Sequence, residues 1–243
     1  MIFMSRCKAL VVAAGAGTRA GLPYPKTLHP VQGRPILLRI LDLLAPYDPE
    51  PTVVVSPSGR PLIEACLSGA GRRANLIEQD EPRGMGDAVL RFDTAPGASE
   101  VDRLILIWGD LPFIQPETLA ATVLAAEGGA TLAFPTRCVD RAYTRVTRDP
   151  AGRVTDLVET REAGLEPTVG ERDIGVFVFD KAPVFDLLRQ PLPDRLGGRG
   201  LEHGFLYVVR HLSAAGLPVE ALPVATDLDL ISLNQLSDLD GFT

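Results

Sequence analysis

Hydrophobic positions along the chain fall into short continuous runs separated by stretches with helical spacing. "CKALVVAA" (7–14), "PTVVVS" (51–56), "RRANLIEQ" (72–79) and "DRLILIWGD" (102–110) are apolar runs bounded by turn formers or charges, and they predict buried strands. Between and after them, "RPILLRILDLLAPY" (34–47), "RPLIEACLSGAG" (60–71), "GMGDAVLRFDT" (84–94) and "PETLAATVLAAEGG" (116–129) read as helices, the first with Pro35 in the starting position that proline tolerates. Strand and helix therefore alternate as in βαβ units. The first half predicts a Rossmann-like, doubly wound α/β layer with a mostly parallel sheet.

Beyond about residue 130 the pattern changes. "ATLAFPTR" (130–137), "AYTRVTRD" (142–149), "RVTDLVET" (153–160) and "RDIGVFVFD" (172–180) predict short strands with few helices between them, and "DPAGR" (149–153) predicts a hairpin turn. A small additional mixed β region is expected at the edge of the main sheet. The tail, "LYVVRHLSAAGLPVEALPV" (206–224) and "SLNQLSDLDGF" (232–242), reads as helix, strand and a short closing helix. No linker or internal repeat interrupts the 243 residues, so a single domain over 1–243 is expected, without a C-terminal hexapeptide-repeat domain.

Composition narrows the function. A net charge of −7 with scattered Lys and Arg argues against a nucleic-acid partner, because phosphate-backbone affinity needs clustered cations. No apolar stretch is long enough for a membrane span, and Arg6 and Lys8 interrupt the apolar start, so no membrane partner and a cytoplasmic location are expected. Cys7, Cys66 and Cys138 form neither a metal-ligand spacing nor an even disulfide set, which suits a reducing compartment. His29, His203 and His211 suggest no metal site.

Chemistry concentrates in "LVVAAGAGTRAGLPYPKTLHP" (10–30), where a predicted strand breaks into small residues followed by Arg19 and Lys26. Ligands of open α/β sheets bind beyond the carboxyl ends of the strands. Ala13, Ala14, Gly15, Ala16, Gly17 and Thr18 are small enough for backbone N–H groups to cradle phosphate oxygens there. The ATPase P-loop does not fit, because Thr18-Arg19 follows Gly17 where Lys and then Ser or Thr are needed. A dinucleotide-dependent oxidoreductase fits poorly too, since Gly15, Gly17 and Gly21 are spaced one residue too long.

The whole pattern, "AAGAGTR", then "PK", then "GRPIL" (33–37), resembles the nucleotidyltransferases that couple a nucleoside triphosphate to a phosphorylated small molecule. Within them it is most similar to the sugar-1-phosphate type, in particular the uridylyltransferase domains of bacterial N-acetylglucosamine-1-phosphate uridyltransferases. The resemblance runs through most of the chain. It implies that Arg19 and Lys26 are catalytic cations, and that Gln79, Gly84 and Met85 of "QDEPRGMGDAV" meet the base, Met85 standing where the family usually has Thr. It implies Mg²⁺ on Asp110 and Asn234, with Asp227 or Asp229 as alternatives to Asn234. For the acceptor it implies Trp108, Tyr143, Thr144, Glu159 and Asp173, with Thr144 in place of the family's Gly and Asp173 in place of its Asn.

The triphosphate and metal blocks match, whereas departures cluster in the acceptor blocks. The resemblance therefore implies a Mg²⁺-dependent transferase that releases pyrophosphate, with UTP and a sugar 1-phosphate as leading substrates. Cytidylyl transfer to phosphocholine or a phosphonate is the alternative, and a nucleotide-binding regulatory protein without turnover is a reading of another class.

Overall fold

The computed structural model describes residues 6–15, 21–197 and 201–242. Strand β1 (Cys7–Ala13) lies in the middle of the sheet, and a two-stranded ribbon, β2 (Pro30–Val31) with β3 (Arg34–Pro35), leads from it into helix α1 (Ile36–Leu44). Next come β4 (Thr52–Val55), α2 (Arg60–Gly69), β5 (Asn75–Glu78), α3 (Met85–Leu90), β6 (Arg103–Trp108) and α4 (Pro116–Glu127). β1 pairs in parallel with both β4 and β6, and β4 in parallel with β5. The strand order runs outward from β1 in both directions, as alternating strands and helices require when crossovers fall on two faces.

Both faces of this sheet are covered. Along β6, Ile105 and Ile107 pack with α1, α2 and α4, whereas Leu104 and Leu106 pack on the opposite side with α3 and the later helices. All four side chains are fully buried, which explains why the strand reads as a continuous apolar run without alternation. Among the described residues no helix is long and apolar enough to cross a membrane.

The second half extends the same sheet. β7 (Leu132–Val139), the hairpin β8 (Thr144–Arg148) and β9 (Val154–Glu159), β10 (Gly170–Asp173) and β11 (Val176–Asp180) follow, then α5 (Lys181–Arg189), α6 (Val208–Ala214) and β12 (Val219–Leu222). β11 inserts antiparallel between β6 and β7, β12 adds parallel to β7, and among the described residues the β8/β9 hairpin forms a small sheet of its own, as does the β2/β3 ribbon.

Two local expectations change. "RDIGVFVFD" is not one strand: it breaks at Ile174-Gly175, so that β10 pairs with the far half of β7 while β11 pairs with its near half and with β6. Gly175 makes the break, with φ +79° and its Cα against the Trp108 ring. Helix α5 does not follow from the strand-rich pattern, yet it presents Val184, Phe185 and Leu188 at helical spacing and buries all three.

A Cβ at Gly175 would lie 2.7 Å from Trp108 Cε3 in a backbone conformation that side chains rarely adopt. Gly175→Ala is therefore expected to lower the unfolding free energy by about 2 kcal/mol or more. Urea denaturation measures this, and a loss below about 0.5 kcal/mol would contradict the close approach.

Candidate active site

The chain leaves the sheet at the carboxyl end of β1 through Ala13 and Ala14, each 8% exposed, and Gly15. Alongside, Gly109 N donates to Val12 O at 2.9 Å, which brings the end of β6, and Asp110 immediately after it, beside the end of β1. Lys26 begins a single 3₁₀ turn, Lys26–Leu28, and reaches across to the same place. Its Nζ donates to Asp110 Oδ2 at 2.8 Å and to Leu233 O at 2.8 Å, and Leu233 N donates to Asp110 O at 2.9 Å. Three segments far apart in sequence are thereby tied at one point. With only 18% and 20% of their side chains exposed, Lys26 and Asp110 form a largely desolvated ion pair, where losing one partner strands the other.

Asn234 follows Leu233 and is exposed, with its Nδ2 donating to Ser232 Oγ at 2.9 Å and its backbone N to Asp238 Oδ2 at 2.8 Å. Its alternatives are committed elsewhere. Asp229, 1% exposed, accepts from Gln115 N, Thr118 Oγ1, Thr226 N and Thr226 Oγ1, and Asp227 pairs with Arg137 at 2.7 Å. No group of three or more His, Cys, Asp or Glu capable of holding a metal occurs among the described residues. Asp110 and Asn234 do offer hard oxygen donors, and Mg²⁺ needs no more than one or two of these when phosphates and water complete its shell.

Gln79 lies just past β5, continuing the ladder through its N–H to Val55 O at 2.9 Å, and is 6% exposed. Its Nε2 donates to Gly84 O at 3.1 Å and to Asp87 Oδ2 at 2.8 Å. Gly84 has φ +100°, and a Cβ there would sit 2.5 Å from His203 O. The segment around His203 clamps this turn from outside: His203 N donates to Arg83 O at 2.8 Å and Gly86 N to His203 O at 2.9 Å. Met85, half-buried, opens α3 directly behind Gly84.

Trp108 ends β6, its ring tilted against Phe177 at 6.1 Å, and its buried Nε1 has no partner among the described residues. Tyr143 is 57% exposed, with the Arg172 guanidinium 5.9 Å from its ring centre. Thr144 opens β8 opposite the exposed Glu159 of β9. Asp173 is 2% exposed and spends both oxygens on the protein: Oδ1 accepts from Thr144 Oγ1 at 2.5 Å and Oδ2 from Gly175 N at 2.8 Å. Ala16, Gly17, Thr18 and Arg19 lie outside the described residues.

A groove of about 770 Å³ between the β8/β9 hairpin, the end of α6 and β12 contains none of these residues. Its arginines are already paired, Arg148 with Glu171, Arg153 with Asp149, and Arg210 with Asp156 and Asp194. Glu159 instead borders a smaller pocket of about 250 Å³ together with Glu162, Gly197 and Phe205.

A model of the MobA-like NTP transferase domain matches residues 9–214. The chain belongs to that family. This NTP transferase is 34% identical over 200 residues to the bifunctional protein GlmU of Heliobacterium modesticaldum, covering 80% of the chain and 43% of that protein. It is 31% identical over 226 residues to bifunctional protein GlmU of Alkalilimnicola ehrlichii, covering 93% of the chain and 47% of that protein. The chain thus spans about half the length of the curated relatives it matches. Among solved structures, the inositol-1-phosphate CTP transferase of T. maritima superposes with a TM-score of 0.68 at 19% identity, over 90% of this chain and 85% of that one, a likeness of fold. The doubly wound, mostly parallel sheet with its additional β region is the architecture expected from the sequence, and solved nucleotidyltransferase structures share it.

Asp87 and His203 are parts of this site that the motifs do not name. Asp87 acts on Gln79 from eight positions away, in a short helix that reads as ordinary packing. His203 acts through its backbone, which leaves no mark on residue type.

The imidazole of His203 is neutral: burial pushes its pKa down to about 4, Arg195 adds to the shift, and Asp87 opposes it. The unfolded chain would titrate near 6.5, so between those values it takes up a proton that the folded state refuses. Stability present above pH 6.5 is expected to fall as pH drops towards 4, by about 2–3 kcal/mol from this residue. Denaturant unfolding of wild type and His203→Gln from neutral to mildly acidic pH isolates the contribution. A difference between the two proteins that does not change with pH would contradict it.

Proposed function

We propose that this domain condenses a nucleoside triphosphate, UTP in the leading reading, with a sugar 1-phosphate to give a nucleotide sugar and pyrophosphate. The observation that carries the reading is the convergence of Lys26, Asp110 and the Leu233-Asn234 segment at the carboxyl ends of β1 and β6. An open α/β sheet binds its ligand at that end. The GlmU relatives support the reaction class, and the uridylyl assignment rests on the motif resemblance at Gln79 and Glu159.

The acceptor's phosphate oxygen attacks the α-phosphorus, a new P–O bond forms, and the bond from the α-phosphorus to the α–β bridging oxygen breaks as pyrophosphate leaves. The nucleophile is already an anion near neutral pH, so the protein supplies no general base. Its task is to align two groups that repel each other and to neutralise charge as it builds. Lys26 would bridge the α-phosphate and the attacking oxygen, and Arg19 would neutralise the leaving pyrophosphate. Asp110 and Asn234 would hold Mg²⁺, which supplies positive charge between the two anions when bound. Gln79 and the Gly84-Met85 turn would meet the base, while Trp108, Tyr143 and Glu159 would line the acceptor side.

One observation favours a second reading. Thr144 and Asp173, which stand where the resemblance implies Gly and Asn, hydrogen-bond to each other inside the protein. Cytidylyl transfer to phosphocholine or a phosphonate is the alternative that this leaves open.

Pyrophosphate release with Mg²⁺, each of the four ribonucleoside triphosphates and dTTP, against sugar 1-phosphates, phosphocholine and aminoethylphosphonate, tests the reading. Activity with UTP and a sugar 1-phosphate is expected. CTP activity with phosphocholine or the phosphonate selects the alternative, and triphosphate binding without release from any pair contradicts the enzyme assignment. Lys26→Ala is expected to lower kcat on the order of 10²-fold or more, by analogy with removing a donor that stabilises transition-state charge. Unchanged turnover would remove Lys26 from the mechanism.

A further inference from the structure

Gln79 carries a primary amide, a group that presents either a donor or an acceptor depending on which way it is turned. Its surroundings decide the orientation. Nε2 is within hydrogen-bonding distance of Gly84 O, at 3.1 Å, and Asp87 Oδ2, at 2.8 Å. A carbonyl and a carboxylate can only accept. Turning the amide over would set Oε1 against both, exchanging two hydrogen bonds, one of them charge-assisted, for lone-pair repulsion.

The frame around the amide is rigid. The backbone of His203 pins the Gly84 turn from both sides, and Gln79 itself is 6% exposed at the end of a paired strand. Asp87 stands on the first turn of α3 with its side chain 21% exposed, and its other contact is Arg91 Nε at 3.4 Å. Among the described residues nothing donates to Gln79 Oε1, and the backbone N–H groups of Gly84 and Met85 donate to nothing. An acceptor thus stands beside unused donors.

We propose that Asp87 sets the base selectivity of this site by locking the Gln79 amide, so that Oε1 accepts from a ring N–H of the base. Uracil presents that N–H at N3 beside the O4 carbonyl, which suits the backbone donors of the turn. Cytosine in the same position sets the N3 lone pair against Oε1. Asp87 is a positioning residue, acting on the base through Gln79. The inference rests on the triphosphate-site reading above and adds to it the group that makes the site selective.

The test compares UTP with CTP on wild type, Asp87→Asn and Arg91→Ala, taking both kcat/KM for pyrophosphate release and Kd by calorimetric titration. The side-chain amide that Asp87→Asn introduces is able to donate, which frees the Gln79 amide to turn over. The wild type is expected to favour UTP, and Asp87→Asn to lower its lead over CTP by about tenfold or more with the acceptor KM unchanged. Arg91→Ala, which removes the other partner of Asp87 and leaves the amide held, is expected to keep the wild-type ratio. Both nucleotides are measured on one preparation, so partial unfolding of a variant does not move the ratio. An Asp87→Asn ratio equal to that of wild type, or a wild type that favours CTP, would overturn the proposal. If no triphosphate supports turnover the preceding reading falls, and the Kd ratios still decide this one; binding of neither nucleotide overturns both.

Discussion

The ion pair between Lys26 and Asp110 is the contact on which the rest of the site depends. It joins the loop that follows β1 to Asp110, two residues past β6, and the Leu233 backbone closes the arrangement from the other end of the chain. A cation and an anion held at 2.8 Å with about four-fifths of each side chain out of solvent need a fixed frame. That frame is the centre of a sheet covered on both faces, where β1 and β6 are adjacent and parallel. Packing, in effect, sets where charge can be placed.

On either side of this pair the site differs in construction. Towards β5, a buried glutamine, a glycine turn and the His203 backbone interlock through hydrogen bonds that leave one acceptor and two donors unspent among the described residues. Towards β10 and β11, polar groups are turned inward, with Asp173 consumed by Thr144 and Gly175 and the Trp108 indole N–H buried without a partner among the described residues. On the reading proposed above, the first is the nucleotide side and the second the acceptor side.

Much of the fold was legible because strands buried on both faces and amphipathic helices leave clear apolar periods. β1, β4, β6, α1, α2 and α4 fall where those periods place them. The break between β10 and β11 was not legible, because Ile174-Gly175 interrupts neither apolarity nor length and only the competing demands of β6 and β7 divide the strand. Within the site, Lys26, Asp110 and Asn234 could be named from their motifs, whereas their meeting at Leu233 depends on tertiary structure. Asp229 shows the opposite case: an acidic residue near the motif that proves to be a buried cap for the segment leading into α4. Asp87 and His203 were illegible because one acts through another side chain and the other through its backbone.

The most direct test of the account is to follow label from a triphosphate carrying radioactive phosphorus at the α position, with the acceptor that supports turnover. Attack at the α-phosphorus predicts that all label appears in the nucleotide-linked acceptor and none in pyrophosphate or free phosphate. Label left on a nucleoside diphosphate, with the acceptor phosphorylated from the γ position, would contradict it.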